Sequence, residues 1–519
     1  MIAIQTFHRR WRIVFCASFL VGLSNWSTEH VVSAERPNIL LIYTDDQGFG
    51  DVSYQNAQCK FQTPNMDRLA REGLAFLDAH CSDTVCTPSR YGLLTGRYAW
   101  RTRLKSGVFG AEAACLISDQ RMTIASMLQS AGYQTAMVGK WHLGMDFPGT
   151  NANNRDWSQP TLDMPLDKGF DYYFGVPASL NYGVLAWFEG RFAETPPTLF
   201  TAKKANARHV DYRIMPPYET TTEEVLRKLG ADGLEVAEDF VDNQCLTKFA
   251  DRAIQWLDKW RTTATAEQPF FLYLPFTAPH YPVCPLPEFE GQGSAGAYGE
   301  FVIETDFHIG RILDYLDQHG LTENTLVIFT SDNGPENSWK QRIEEFGHRS
   351  NGRFREGKRS IYEGGHRVPF FVRWPAKIQT PDRLISSPIC QTDVMATLAE
   401  ILDVELPDDA AEDSHSFLAH LTTPQYEPSA YPIINHAANG RFAVRLGNWK
   451  YVAKHRRNEA ELYNLEMDPE EQHNCLTAHA SLADELLTQL TNSICRGRTS
   501  PGTTQLNDTA YWDDISWIS

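Results

Sequence analysis

The sequence predicts an α/β protein: a mostly parallel, mixed sheet sandwiched by helices, followed by a smaller antiparallel sheet with one helix. Three observations carry this. Residues Asn38–Tyr43, Phe270–Phe276 and Thr325–Thr330 are apolar runs without polar alternation, the pattern of strands buried on both faces. Segments with helical periodicity stand between them, as crossovers in a parallel sheet require. From about residue 430 the chain turns to short β segments joined by turn residues.

In chain order, the run Asn38–Tyr43 stops at Thr44-Asp45-Asp46-Gln47-Gly48. Thr63 caps a helix with Pro64 at its first position and Gly73 as its stop. A strand around Leu74–Ala79 leads into Cys86-Thr87-Pro88-Ser89-Arg90, where Pro88 suits a first helical turn and Gly96 its end. Met122–Ser130 reads as an amphipathic helix. Gln134–Val138 reads as a strand that runs into Gly139-Lys140-Trp141-His142-Leu143-Gly144. Residues 145–245 form an irregular excursion. Within it, Gly169–Gly175 and Pro177–Tyr182 read as aromatic loop material, either loop packing or the wall of a sugar-binding cleft. Leu246–Trp260 and Phe301–Leu316 are helical. Phe270–Phe276 runs into Pro279-His280, and Thr325–Thr330 into Asp332-Asn333-Gly334. Val368–Trp374 is a strand and Gln391–Leu402 a helix. Tyr431–Asn435, Arg441–Leu446, Trp449–Ala453 and Glu461–Asn464 are short strands, and Ser481–Leu490 is a helix. The expected plan is an export signal over 1–34, a catalytic domain over 35–429 and an α+β subdomain over 430–519.

The 519 residues carry a net charge of −18. That argues against nucleic acid and anionic membrane surfaces as partners, and requires a local cluster of cations to draw any anionic substrate. His8, Arg9, Arg10 and Arg12 precede an apolar core, Ile13–Leu23, too short to span a bilayer, and Val32-Ser33-Ala34 offers a cleavage site. The expectation is an exported protein, periplasmic or secreted, with no membrane span. Of ten cysteines, Cys16 belongs to the signal and Cys86 is set aside as catalytic. The other eight form no C-x-x-C zinc pattern, and their pairing is open.

Asp45-Asp46, Lys140 with His142, His280, and Asp332-Asn333 all stand just past the ends of predicted strands. In an open α/β sheet ligands bind at that edge. Each has an ordinary account alone, as turn acids or loop histidines. Their coincidence with a Cys86/Arg90 helix start carries the functional reading. Asp45, Asp46, Asp332 and Asn333 are oxygen donors suited to a hard cation, Ca²⁺ or Mg²⁺, and not Zn²⁺. Arg90, Lys140, Lys358, His142 and His280 are cations or neutral donors suited to a tetrahedral oxyanion and a developing alkoxide. On residues alone, Cys86 beside Arg90 is a reactive thiol.

The string Cys86-Thr87-Pro88-Ser89-Arg90, followed by Leu93-Leu94-Thr95-Gly96-Arg97, resembles the signature of type I sulfatases in the alkaline-phosphatase superfamily. In that family the cysteine is oxidised to formylglycine (3-oxoalanine). The resemblance extends in order through Asp45-Asp46-Gln47-Gly48, Gly139–Gly144, Pro279-His280, Asp332–Gly334 and Gly357-Lys358, across most of residues 36–375. These boxes show no departure from the pattern, which argues against an inactive copy. Leu462–Leu465 and Asp468-Pro469 resemble the family's smaller subdomain. The resemblance implies an alkaline-phosphatase-like fold and a sulfuric ester hydrolase. It implies Cys86 converted by a formylglycine-generating or anaerobic maturation enzyme, and Ca²⁺, with Mg²⁺ as the alternative, held by Asp45, Asp46, Cys86, Asp332 and Asn333. It assigns catalysis to Cys86, Arg90, Lys140, His142, His280 and Lys358. One hydroxyl of the formylglycine hydrate, assisted by Asp332, attacks sulfur; protonated His280 serves the leaving oxygen; His142 takes the proton of the second hydroxyl, so sulfate departs.

A sulfated carbohydrate is the expected substrate. Its outer contacts are expected from Asn181, from His348, Arg353 and Arg355 in a polar loop, and from His436; the ordinary reading of that loop is a solvated basic segment. The spacing around His348 and Glu363-Gly364-Gly365 resembles sulfatases acting on galactose or N-acetylgalactosamine 6-sulfate. Two rivals stand beside this reading: a phosphomonoester or phosphonate hydrolase on the same scaffold, and a secreted non-catalytic glycan-binding protein.

Overall fold

The architecture is that of a computed structural model that describes residues 36–150, 154–220, 234–265 and 268–509. The expected export signal lies outside the described residues. The main sheet is built from β1 (Asn38–Asp45), β2 (Leu74–Phe76), β3 (Gln134–Lys140), β4 (Tyr172–Val176), β5 (Phe188–Glu189), β6 (Phe192–Ala193), β7 (Phe270–Pro279), β8 (Thr325–Ser331), β9 (Phe370–Arg373) and β10 (Arg383–Ile385). Their order is β10-β2-β9-β8-β1-β7-β3-β4-β5-β6. The five central strands, β8-β1-β7-β3-β4, are parallel, and β9 and β5 run antiparallel beside them. Ile39 sits between Phe271 and Leu326, and Ile42 between Leu274 and Phe329, all fully buried. That is why the three central runs lack polar alternation. Because the strands are parallel, their polar C-terminal residues arrive at one edge.

Two groups of helices pack among themselves. One is α1 (Pro64–Arg71), α4 (Cys245–Thr263) and α5 (Gly296–Gln318); the other is α2 (Cys86–Thr95), α3 (Ile124–Ser130) and α6 (Asp393–Ile401). Thr123 caps α3 by accepting from the Ser126 amide. Among the described residues no helix is long and apolar enough to cross a membrane, and the nine described cysteines are free thiols.

The excursion over 145–245 is more ordered than its composition suggests. Tyr172–Val176 is a strand of the main sheet, with Phe174 stacked on Trp187 at 6.2 Å, so this part of Gly169–Gly175 is sheet and not loop. Val184–Leu185, Leu199–Thr201, Glu219–Thr220 and Leu234–Val236 form a second, small sheet.

The C-terminal part is an antiparallel meander, β11 (Ile433–His436), β12 (Phe442–Leu446), β13 (Trp449–Val452) and β14 (Glu461–Asn464), packed by α7 (Ala480–Cys495). Its apolar core takes in Tyr98 and Trp100 from the preceding part. Each of its first three strands also sends one polar side chain to a buried acid there. His436 Nδ1 lies 2.6 Å from Asp83, Arg445 Nη2 2.6 Å from Asp78, and Lys450 Nζ 3.0 Å from Glu363.

Candidate active site

Asp45 ends β1 and Asp46 follows it with φ 65°, a left-handed conformation that aspartate tolerates better than most residues. Gly48 is obligatory two residues on: a Cβ there would stand 2.1 Å from the Ser350 carbonyl oxygen. Lys140 ends β3, and His142, at φ 59°, carries the chain past it. His280 follows β7, and Asp332 follows β8. Cys86 opens α2, with Arg90 one turn on, and both are buried.

These elements bring the predicted residues together. Asp45 is bonded by Lys140, lies 3.6 Å from Arg90 Nη2 and accepts from Cys86 Sγ at 3.7 Å. Asp46 Oδ1 lies 2.6 Å from Lys358 Nζ and accepts from Asn333 Nδ2 at 2.7 Å. Asp332 accepts from the Asp46 amide at 3.0 Å and from Arg90 Nη2 at 2.8 Å. His280 Nε2 stands 3.8 Å from Asp46, and its Nδ1 2.7 Å from the Tyr281 carbonyl.

Three buried carboxylates thus face three buried cations. Burial works against the charge on Asp45, but Lys140, then His280 and Arg90, outweigh it and hold the group at about 2. Asp332 is pushed up, by burial first and then by Asp45. Burial raises the Cys86 thiol to about 12 despite Lys140 and Lys358, so the unmodified side chain is a poor thiolate. His142 is pushed down by burial, then by Lys140 and Arg90. With Nε2 donating to the Phe109 carbonyl at 2.9 Å, its Nδ1 is a buried lone pair without a partner. Burial and Lys358 likewise lower His280.

The acids suit a hard cation. Ligand atoms of Asp45, Asp46, Cys86 and His280 all lie within 4.8 Å of one another. Asn333 Oδ1 is a buried carbonyl oxygen that accepts no hydrogen bond, an orphan that a cation would satisfy. With the charges otherwise balanced, a divalent ion would leave the site net positive toward an anionic ester.

A cavity of about 360 Å³ meets this cluster. Cys86, His142, His280, Lys358 and Asn181 line it, while Lys140 and Arg90 are fully buried behind Asp45. Tyr182 also lines it, and so do Tyr281, Glu336 and Arg359, which escaped the sequence reading. Glu336 ties Arg359 at 2.8 Å and lies 3.6 Å from Lys358. The only local signal was the position of Arg359 beside Lys358.

The other expected substrate contacts are placed elsewhere. His348 is fully buried, with Nε2 2.7 Å from Asp51. Arg355 lies over the Tyr362 ring at 3.5 Å and donates to the Glu471 carbonyl at 2.9 Å. Arg353 lines a different cavity. His436 is 2% exposed and turned to Asp83; its neighbour Ala438 reaches the catalytic cavity instead. Internal partners, distant in sequence, consume the polarity that made these residues look like a ligand surface. Of the Pro177–Tyr182 stretch, Asn181 and Tyr182 do form cavity wall, with Tyr182 5.4 Å from His142.

The chain is similar to known proteins over most of its length. The sulfatase family model matches residues 37–404, and a model of the N-sulphoglucosamine sulphohydrolase C-terminal region matches 352–499. An N-acetylgalactosamine-6-O-sulfatase of Bacteroides thetaiotaomicron is 33% identical over 490 residues, covering 88% of this chain and 92% of that protein. Human arylsulfatase A is 30% identical, covering 88% and 87%. A Bacteroides thetaiotaomicron structure from work on the metabolism of multiple glycosaminoglycans superposes with a TM-score of 0.76 at 31% identity, over 88% of this chain and 99% of that one. The matched span includes every strand end that builds the site, and the chain belongs to the sulfatase family of sulfuric ester hydrolases, in the alkaline-phosphatase superfamily.

Proposed function

We propose that the chain removes sulfate from a carbohydrate, of the galactose or N-acetylgalactosamine 6-sulfate type, with residue 86 as formylglycine and Ca²⁺ (or Mg²⁺) as the metal. The observation that carries this is the meeting of Cys86, His142, His280 and Lys358 on one cavity beside three buried carboxylates. The choice of sugar is supported by the 33% identical relative named for N-acetylgalactosamine 6-O-sulfate.

Asp45, Asp46, Asp332 and Asn333 would hold the cation, with residue 86 beside them. As hydrated formylglycine, residue 86 would offer one hydroxyl for attack on sulfur and a second to drive sulfate out, and a bound cation would supply Lewis acidity beside it. Lys140 and Arg90 bond Asp45 and Asp332 and hold them in place. Lys358 and Arg359 reach the cavity as the cations for sulfate oxygens. His280, as imidazolium, protonates the departing sugar oxygen; the charge of the bound ester favours that form. His142 Nδ1, bare and neutral, takes a proton from residue 86. Tyr182 and Asn181 face the sugar. Maturation of Cys86 requires a formylglycine-generating or anaerobic enzyme, and the N-terminal signal takes the chain to the periplasm or the medium.

The test is a sulfate-release screen with galactose 6-sulfate, N-acetylgalactosamine 6-sulfate and 4-sulfate, and aryl sulfate against aryl phosphate, with mass spectrometry of the peptide holding residue 86. Release from the 6-sulfated sugars, with residue 86 lighter than cysteine by the expected oxidation, is the expected result. Full activity with unmodified cysteine, or preference for phosphate, would sink the proposal.

A further inference from the structure

A second cavity, of about 860 Å³, shares no lining residue with the catalytic one. Leu77 and Asp78 follow β2, Ser386 follows β10, and Phe49 lies just beyond β1. β9 is antiparallel to both β8 and β2, and β10 is parallel to β2. The ends of β1, β2 and β10 therefore point the same way, and the cavity lies along the same carboxyl edge as the active site. Its other wall comes from the C-terminal meander and the segment after it, including Glu466 and Glu470.

The chemistry of this cavity is uneven in a telling way. Arg367 and Arg445 face it but are paired with Asp78, at 2.8 and 2.6 Å, and Arg367 also with Glu363. Arg349 and Arg353 are exposed and have no carboxylate partner among the described residues. Gln55 also lines it, and both amide atoms, Nε2 and Oε1, are buried without a hydrogen bond. A rotation of the Gln55 side chain would turn this buried donor and acceptor toward two neighbouring sugar hydroxyls. Phe49 and Phe354, edge to face at 5.1 Å, add apolar surface. In a chain of net charge −18, two guanidiniums without a carboxylate partner, Arg353 lying 5.8 Å over the Phe354 ring, line one cavity with an unsatisfied amide and mark a local site for an anionic, hydroxyl-bearing ligand.

We propose that this cavity binds a sulfated sugar unit of a polysaccharide, apart from the unit whose ester is cleaved, with sulfate on Arg349 and Arg353 and hydroxyls on Gln55. The choice of a sulfated ligand rests on the sulfatase reading; the site itself rests on the cavity and its unpaired groups. Retention on a chain would keep the enzyme near successive esters.

The test uses affinity electrophoresis of the full-length Cys86→Ala protein in gels containing chondroitin 6-sulfate, ι-carrageenan or dextran sulfate, with unsulfated dextran as control. At least one sulfated polymer should retard the protein, and dextran should not. Adding Arg349→Ala with Gln55→Ala should weaken binding about tenfold (about 1.4 kcal/mol), whereas adding Lys259→Ala, exposed and outside both cavities, should not. Should the double variant melt early, the exposed reversal Arg349→Glu serves alone. No retardation by any sulfated polymer, equal retardation by dextran, or binding untouched by the Arg349 changes overturns the inference. Sulfate release by the unmutated enzyme on small sulfated sugars is measured separately, so failure of the reaction and failure of the second site are told apart.

Discussion

Replacing His348 separates a structural residue from a substrate contact. Its Nδ1 accepts from the Lys60 amide at 3.4 Å and its Nε2 meets Asp51 Oδ1 at 2.7 Å, which fixes a neutral ring that donates to the acid. Asp51 Oδ2 also accepts from the Gly48 amide at 2.8 Å and the Tyr298 hydroxyl at 2.7 Å. The pair therefore braces the turn that carries Asp46. In His348→Leu, a buried carboxylate oxygen loses its donor, at a cost of about 1–3 kcal/mol. At roughly 2 °C per kcal/mol for a large domain, Tm should fall by about 2–6 °C. Burial opposes ionisation of Asp51, but the bond from His348, with Arg342 and Tyr298, outweighs it and holds the acid below its usual range. A depressed carboxylate contributes stability above its unfolded pKa, about 3.9, that is lost as pH falls through the folded value. The deficit of the variant should thus be full at pH 7 and shrink below about pH 4. Differential scanning fluorimetry across pH, with kcat and KM measured well below Tm, is the assay. An unchanged Tm with KM raised about tenfold or more would refute this reasoning and return His348 to the substrate pocket.

Three further outcomes are expected. Asn333→Leu removes the orphan carbonyl oxygen, and the Ca²⁺ concentration for half-maximal sulfate release should rise about tenfold or more; an unchanged metal titration would exclude Asn333 as a donor. Lys450→Met strips the cation lying 3.0 Å from Glu363 and 2.8 Å from Glu471, all fully buried, and should cost about 3–5 kcal/mol. A melting shift of less than about 2 °C would contradict that, taking the same scale. Arg359→Ala should raise KM for a sulfated sugar about three- to tenfold with kcat little changed, a loss of ground-state binding; a fall in kcat alone would place Arg359 in the chemical step instead.

The floor of the candidate site was legible because its determinants are local. A buried parallel strand announces itself by an unbroken apolar run, and its end by the first polar residues, so Asp45, Lys140, His280 and Asp332 could be aligned before any contact was known. The outer pocket was not legible, because whether a loop residue faces a ligand depends on partners far away in sequence. His348 is taken by Asp51, 297 positions earlier, and His436 by Asp83, 353 positions earlier. Conversely Glu336 and Arg359 sit in unremarkable surroundings and line the cavity together, Glu336 accepting from Arg359, 23 positions later, and lying 3.6 Å from Lys358. Tyr172–Val176 misled for another reason: an aromatic, glycine-flanked stretch reads as loop, yet Gly175 packs so closely on β3 that a Cβ would stand 1.8 Å from the Gly139 oxygen.

The three cross-links from β11, β12 and β13 bear on modularity. His436, Arg445 and Lys450 supply counter-charges to Asp83, Asp78 and Glu363, and Asp83 lies three residues before Cys86. The change of sheet type near residue 430 is therefore not a seam at which the chain could be cut or shuffled. A shortened gene product would lose the apolar cover of Tyr98 and Trp100 and the cavity wall at Ala438 in one step. Recombination among relatives should accordingly exchange the meander together with the segments around residues 78–86 and 363, or yield insoluble chains.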